Sequence, residues 1–320
     1  MAISKNVAIL GAGALGMALA YHLANLGLNV VVYDKNTERL EGIMSMGALP
    51  MHPALQMPNN IRQAKTFSEI GKNSLYLLAV PSRSIVPVLL ENGTFLDKDA
   101  LYVICSKGID KSGLLLSQIV SQYLPGENIG VLAGPNFAKD IVHGELTVSN
   151  IAFCKMEVAS TTAKMISGGN LLAKPIDDLV TIQLCGAYKN VLAVAVGILK
   201  GLGHLPNALA ALICYGIDEL RTLIKAFSGK EQTLLEPCGF GDIYLTCGNE
   251  DSRNMSFGML LAEGGDIGAH MLNHTVEGIE AMMSFHKIAQ SKAIALPIVN
   301  LLHDIVVRGI APSNMTKFFR

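Results

Sequence analysis

The chain has 320 residues, half of them hydrophobic and only 16% charged, with a formal net charge of −1. That length exceeds what one core usually occupies, so two domains are expected. The composition excludes a disordered chain, and Lys and Arg are scattered instead of striped between aromatics, so nothing here suits nucleic acid.

The N-terminal stretch reads as a βαβ unit. An apolar run, Val7 to Leu10, meets Gly11-x-Gly13-x-x-Gly16, with Ala14 and Leu15 between the last two glycines. An apolar-periodic segment from Met17 to Leu26 follows, stopped by Gly27, and a β-rich run from Asn29 to Tyr33 closes on Asp34. Gly11 allows a tight turn, Gly13 close backbone approach to a pyrophosphate, and Gly16 helix-on-strand packing. The helix that starts there offers unpaired N–H groups to phosphate. Asp34, about 20 residues on, can accept from both ribose hydroxyls and would repel a 2′-phosphate, which favours NAD slightly; Lys35 and Arg39 pull towards NADP. The expected cofactor is therefore NAD or NADP. The chain starts straight into a strand, with no basic and apolar leader, so a cytoplasmic protein is expected.

Thr37 to Met46 reads as a helix and Met51 to Asn60 as a loop. Buried strands are expected at Leu75 to Val80, before Pro81-Ser82-Arg83-Ser84, and at Leu101 to Cys105, before Ser106-Lys107-Gly108. Loops at the carboxyl ends of parallel strands are where ligands bind, and Lys107 stands where it suits a phosphate or a reacting oxygen, or serves only as a solvated loop lysine. Gly130 to Ala133 leads into Gly134-Pro-Asn136-Phe-Ala138, a glycine turn opening a helix, and Val148 to Cys154 is a strand. Strands alternating with helices give an α/β fold, a doubly wound Rossmann-type domain over residues 1–180.

Beyond Ile176 the β signals stop, and residues 181–320 read as an all-helical domain. Thr181 to Leu199 is a long apolar helix with Gln183, Gly186, Lys189 and Asn190 on one face. A lysine there is costly to bury unless it has a partner or a task, the alternative being a side chain snorkelled to the surface. The richest apolar region, Leu179 to Leu220, is broken by Lys189, Lys200, Pro206 and Asp218, so no membrane span is expected. After a helix from Asn207 to Ala226, the glycines of Cys238-Gly-Phe-Gly241 place Asp242 at a helix start with Thr246 one turn later. Asp242 is either a cap or a site residue. Asp251 or Ser252 caps the next helix, putting Arg253 and Asn254 in its first turn, where a guanidinium beside free N–H groups makes a phosphate clamp or simply faces solvent. Thr275-Val-Glu277-Gly278 begins another helix, the Pro297 segment one more, and Met315 to Arg320 reads as a solvated basic tail. The six cysteines lack metal spacing and read as buried reduced thiols. His270 and His274, the one i,i+4 pair, lack a third ligand, so no metal is expected. The low charge content suggests a homodimer.

In order and spacing these pieces resemble the NAD(P)-dependent sn-glycerol-3-phosphate dehydrogenase family along the whole chain: Gly11-Ala-Gly-x-x-Gly16, Val80-Pro-Ser82, Ser106-Lys-Gly108, Gly134-Pro-x-Phe-Ala138, Gly186-Ala-x-Lys-Asn190, Gly239-x-Gly-Asp242, Leu245-Thr-Cys247, Ser252-Arg-Asn254 and Val276-Glu-Gly278. The resemblance implies interconversion of dihydroxyacetone phosphate and sn-glycerol 3-phosphate, which supplies phospholipid synthesis, and a small phosphorylated substrate as partner. It casts Lys189 as acid/base, with Lys107 and Asp242 at the reacting centre. It puts Gly134, Asn136, Asn190, Ser252, Arg253 and Asn254 on the substrate. The cofactor would be held by Gly11, Gly13, Ala14, Leu15, Gly16, Asp34, Lys107, Ala138, Arg253 and Glu277.

The chain departs from that family at several places. The family commonly has a basic residue near Leu209 and an arginine near Tyr215, Ser or Thr where Asn136 stands, Ala-Gly-Leu-Gly for Cys238-Gly-Phe-Gly, and Ser or Thr with an aromatic for Ala14-Leu15. Two other readings share the glycine fingerprint: a related dehydrogenase of another small keto or hydroxy acid, and a cofactor-binding homologue that has lost the reaction.

Overall fold

The structure is a computed structural model that describes residues 5–250, 252–268 and 276–319. Asp251, His270, His274, Thr275 and Arg320, singled out above, lie outside the described residues. The chain forms two compact units. The first comprises residues up to Ser106 together with Leu116–Leu179, the second Lys107–Leu115 together with the chain from Val180 onward.

The first unit is built on the strands β1 (Asn6–Leu10), β2 (Asn29–Tyr33), β3 (Ala48–Leu49), β4 (His52–Gln56), β5 (Ile61–Ala64), β6 (Leu75–Leu78), β7 (Leu101–Ile104), β8 (Ile129–Ala133), β9 (Thr147–Phe153) and β10 (Leu171–Ile176). Its helices are α1 (Ala14–Asn25), α2 (Thr37–Met46), α3 (Ser82–Glu91), α4 (Leu116–Val120), α5 (Ala138–His143) and α6 (Met156–Ile166). Eight strands make one sheet in the order β10-β9-β8-β7-β6-β1-β2-β5. Every neighbouring pair is parallel except β8 with β9. Read from β5 to β8, this is the doubly wound dinucleotide-binding order. Val7–Leu10 and Leu75–Leu78 are buried at every position, as strands covered on both faces must be. Where the winding reverses, between β1 and β6, lie Gly11 and Val80, and ligands bind at such a point.

Two stretches differ from the sequence reading. The expected loop from Met51 contains β4, paired antiparallel with β3, because Gly47 ends α2 in the left-handed region (φ +61°) and turns the chain back. Strands β5 and β10 lie at the two sheet edges, where one side needs no partner. There Ile61-Arg-Gln-Ala64 can be half polar and β10 can carry Pro175, so neither reads as a buried run.

The second unit is helical: α7 (Leu179–Gly201), α8 (Pro206–Ala226), α9 (Asp242–Cys247), α10 (Arg253–Ala262), α11 (Glu277–Lys292) and α12 (Pro297–Arg308). Helix α7 is long and apolar enough to cross a bilayer by length and composition, yet its apolar window is wholly buried inside the protein, so it serves as the core helix. Ile109 and Leu115 are buried in the same apolar cluster, which is why residues 107–115 fold with this unit and not with the strands on either side of them. Met315 is fully buried in the 3-10 helix Pro312–Phe319, so the expected solvated tail is anchored instead. Four cysteines are buried free thiols, but Cys154 and Cys214 are exposed, against the expectation that all six are buried.

Helix α7 meets its neighbours through glycines. A Cβ on Gly197 would overlap the Met255 carbonyl of α10, one on Gly258 the Val194 carbonyl of α7, and one on Gly278 of α11 the Asn190 carbonyl. The backbones themselves touch, so no side chain can give way. Gly258→Ala is therefore expected to destabilise the protein by about 1–3 kcal/mol or more, measurable by urea unfolding.

A second buried device holds α12. The Glu219 carboxylate of α8 accepts from the backbone N–H of Ile298 at 2.6 Å and of Val299 at 3.1 Å, capping the first turn of α12 from outside. Burial raises its pKa from 4.5 to about 7, against the pull of those two N–H donors. Between these values the folded state binds more protons than the unfolded one, so Glu219's contribution is full below about 4.5 and is lost as pH rises through about 7. The stability of the wild type relative to Glu219→Gln is expected to fall across that window, by at most about 1.4 kcal/mol per pH unit, in parallel urea titrations.

Candidate active site

In the first unit the three fingerprint glycines separate into three physical roles. Gly11 has φ +112°, and a Cβ there would overlap the Ala79 carbonyl. A Cβ on Gly16 would overlap the Gly11 carbonyl and press on Ala79, the close packing of α1 on the strands. On Gly13 an added Cβ would meet no protein atom within 4 Å, which leaves open space for a ligand to approach the backbone. Gly13 is also the N-cap of α1, which has no side-chain cap and no acid in its first turn, so no side chain of the helix itself competes for its first N–H groups.

Asp34 closes β2 beside this loop, and its carboxylate accepts from the Ala12 amide at 2.7 Å and from Arg39 at 3.1 Å. A cavity of about 390 Å³ is lined by Gly11, Gly13, Asp34, Arg39, Val80 and Arg83 among others, so the expected Pro81-Ser82-Arg83 loop does border the glycine turn. Gly134 sits at the end of β8 with φ +151°, where a Cβ would overlap Ser149 of β9. Asn136 is buried just beyond it, and Ala138 starts α5, which packs on α1.

In the second unit a different cluster forms. The Lys189 ammonium of α7 donates to Asp242 Oδ1 at 2.7 Å and to Thr246 Oγ1 at 2.7 Å. Lys107 donates to the other oxygen, Asp242 Oδ2, at 3.0 Å, its stem running over Gly186. Lys189 is nearly inaccessible and Asp242 fully buried, so Lys189 is not snorkelled to the surface, and Asp242 is the first residue of α9 and not its cap. Thr246 belongs to this cluster although it was not among the expected site residues; its place one helical turn after Asp242 was the available signal.

Desolvation drives the Lys189 pKa from 10.5 to about 8, with Asp242 opposing the fall and the second cation, Lys107, adding to it. A general acid and base at near-neutral pH needs such a value.

Beside this cluster a chain of amides ties three helices. Asn254 Nδ2 donates to Asn190 Oδ1 at 3.0 Å, Asn190 Nδ2 to Glu277 at 3.0 Å, and the Gly278 N–H to Asn254 Oδ1 at 2.9 Å. Asn190, Asn254 and Glu277 are thus brought together by bonds to one another. Ser252 caps α10, its hydroxyl accepting from the Met255 N–H at 3.4 Å, and Arg253 stands exposed in the first turn as the sequence implies. Among the described residues no group of three or more metal-ligating side chains occurs.

Against known families, residues 6–159 match the model described as NAD-dependent glycerol-3-phosphate dehydrogenase N-terminus and residues 178–317 its C-terminus. The glycerol-3-phosphate dehydrogenase [NAD(P)+] of Rhizobium etli (strain CIAT 652) is 34% identical over 309 residues, covering 95% of this chain and 94% of the relative. That of Thioalkalivibrio sulfidiphilus is 33% identical over 316 residues, covering 95% and 93%. The crystal structure of glycerol-3-phosphate dehydrogenase from Coxiella burnetii superposes with a TM-score of 0.92 at 29% identity, covering 99% of this chain and 98% of that one.

The geometry of the lysine cluster makes a direct prediction. In the unliganded protein, side-chain NMR of lysine should find one ammonium titrating near pH 8 and missing from Lys189→Met. Asp242→Asn should move that midpoint lower, because it removes the anion that favours the charged form.

Proposed function

The chain belongs to the NAD-dependent glycerol-3-phosphate dehydrogenase family and is an NAD(P)-dependent oxidoreductase of glycerol 3-phosphate, and we propose that its chemistry is carried by the buried Lys189–Asp242–Lys107 cluster. The first unit is the dinucleotide-binding domain and the second the substrate domain. The observation that carries this assignment is a buried ammonium with a pKa near 8 held by a carboxylate, in a chain whose other unit presents an open glycine turn.

The cofactor site fits a dinucleotide: open space at Gly13, an uncapped α1 N-terminus for the pyrophosphate and an acid for the ribose. When bound, the nicotinamide supplies or takes the hydride. In the first unit Gly11, Gly13, Ala14, Leu15 and Gly16 would hold the pyrophosphate by backbone, Asp34 the adenosine ribose and Ala138 a further part of the cofactor.

Reduction of dihydroxyacetone phosphate places a hydride on C2 while its oxygen gains a proton. Lys189 donates that proton from Nζ and is left as the neutral amine; in the reverse direction the amine takes the hydroxyl proton of glycerol 3-phosphate. Asp242 and Thr246 fix the direction of Nζ, and the Lys107 charge stabilises the developing oxyanion. Arg253 and the α10 N-terminus bind the phosphate, turning remote binding energy into orientation of the ketone. In the second unit Asn190, Ser252 and Asn254 would line the substrate, with Asn190 and Asn254 also tying together the helices around the lysine. The enzyme works in the cytoplasm as a homodimer without integral membrane association, and its product feeds phospholipid synthesis.

The test is oxidation of NADH and of NADPH with dihydroxyacetone phosphate, unphosphorylated dihydroxyacetone and a 2-keto acid. Turnover confined to the phosphorylated ketone is expected; equal turnover of the keto acid would overturn the substrate assignment. Lys189→Ala should lower kcat by about 10²–10⁴-fold with nucleotide affinity nearly unchanged. In the wild type, ketone reduction should decline as pH rises past about 8, where Lys189 loses its proton, and glycerol 3-phosphate oxidation should rise over the same range.

A further inference from the structure

Helix α7 carries three polar side chains in a row, Tyr188, Lys189 and Asn190, within an otherwise apolar stretch, and all three are buried. Successive helical residues point about 100° apart, so each meets a different neighbour. Lys189 bonds to Asp242 and Thr246 of α9, and Asn190 to Asn254 of α10 and Glu277 of α11.

Tyr188 takes a third direction. Its ring meets Phe285 of α11 edge-on, with 5.9 Å between centroids, and Leu192, one turn further along α7, fills the space at Gly216 of α8. Glu219 lies one turn along α8 from Gly216, so the same face of α7 presents Tyr188 to the Glu219 carboxylate. That carboxylate caps the first turn of α12 through the Ile298 and Val299 N–H groups. The Tyr188 hydroxyl finds no regular hydrogen-bond partner among the described residues, yet Glu219 lies close enough for each to shift the other's titration. A phenyl ring would fill the same space without burying a hydroxyl, so packing alone does not call for this one. The titratable groups acting on Tyr188 are Glu219 of α8 and Cys247 of α9, a thiol that burial pushes up to about 12 and so keeps neutral. Helix α11 presents Phe285, and α12 its two N–H groups.

We infer that Tyr188 and Glu219 are positioning residues for the reaction: they fix the rotation of α7 about its axis, and with it the direction of Lys189, and they hold more firmly when Glu219 is ionised. This rests on Lys189 being the acid and base, as proposed above. An ionised carboxylate only accepts, so it takes the Tyr188 hydroxyl as a third donor beside Ile298 and Val299, in a charge-assisted bond. A protonated one carries a proton of its own to donate, and its bond with Tyr188 is then between neutral groups and weaker. Burial raises Glu219 to about 7, against the pull of Ile298, Val299 and Tyr188, so the change falls just below the titration of Lys189 at about 8.

The experiment is the pH dependence, between about pH 6 and 9, of kcat and KM for NADH-driven reduction of dihydroxyacetone phosphate by the full chain. It compares the wild type with Tyr188→Phe and Glu219→Gln, and carboxyl-carbon NMR of glutamate-labelled protein follows Glu219 itself. Wild-type kcat should rise as pH rises through about 7, where Glu219 ionises, before its decline past about 8. Both variants should lack that rise and run about 2–10-fold below the wild-type maximum, the rate equivalent of one net hydrogen bond, with KM for NADH unchanged. In Tyr188→Phe, which keeps the ring in the core, Glu219 should still titrate with its midpoint moved up, because a donor that favours the ionised form is gone. A wild type without the rise, or a rise that persists in Tyr188→Phe, overturns the inference; persistence is what a role in stability alone would give. Failure of the Lys189 assignment looks different, since Lys189→Ala would then still turn over.

Discussion

The second unit is arranged around one carboxylate shared by two ammonium groups. Asp242 accepts from Lys189 on one oxygen and from Lys107 on the other. Two cations and one anion leave a net positive charge where Lys189 and Asp242 are almost dry. Such a group is unstable unless its donors are satisfied, which explains why the Thr246 hydroxyl accepts a further hydrogen bond from Lys189. It also explains the direction of the lysine's titration. Burial would strip the proton; Asp242 limits that loss, and Lys107 works against Asp242. The excess positive charge suits a substrate that carries a phosphate and becomes an oxyanion at its carbon centre.

Holding these three groups at hydrogen-bond distance demands backbone placement that side chains alone do not give. Asp242 starts a short helix behind the turn Pro237–Gly241, in which a Cβ on Gly239 would overlap the Leu234 carbonyl. Lys189 rides on α7, whose close approach to α10 and α11 depends on Gly197, Gly258 and Gly278. The same closeness brings Asn190, Asn254 and the Gly278 N–H within bonding distance. Packing and polar satisfaction are thus one constraint: a methyl group at a crossing would push apart the amides that fix the helix carrying the lysine.

Much of this was legible in the chain. Buried parallel strands are continuous apolar runs, so β1, β2, β6, β7, β8 and β9 could be read, whereas β5 and β10 escape the eye because edge strands tolerate Arg62, Gln63 and Pro175. Local spacing placed Lys189 on an apolar helix and Asp242 at a helix start, but left each with a bland alternative. Only tertiary structure removes those alternatives, because residues 189 and 242 are separated by the whole of α8. The return of residues 107–115 to the second unit is likewise invisible in sequence, since it depends on Ile109 and Leu115 finding a core built mostly from residues after 180. Cys154 and Cys214 show the converse limit: an apolar neighbourhood in sequence does not fix which side of an element faces solvent.

The departures from the resembling family can be weighed against this geometry. The missing basic residues fall near Leu209 and Tyr215 on α8. Leu209 packs against the apolar core of the second unit, and Tyr215 is about half exposed. At Leu209 an aliphatic side chain removes the need to solvate a charge beside that core, and the net positive charge of the Lys189–Asp242–Lys107 cluster comes from Lys107 and Lys189, which remain. The change from Leu to Phe240 in the glycine turn is equally peripheral, because Phe240 points half into solvent while Gly239, the position that cannot accept a side chain, is kept. Divergence has therefore touched the surroundings of the cluster and left the residues whose distances define it.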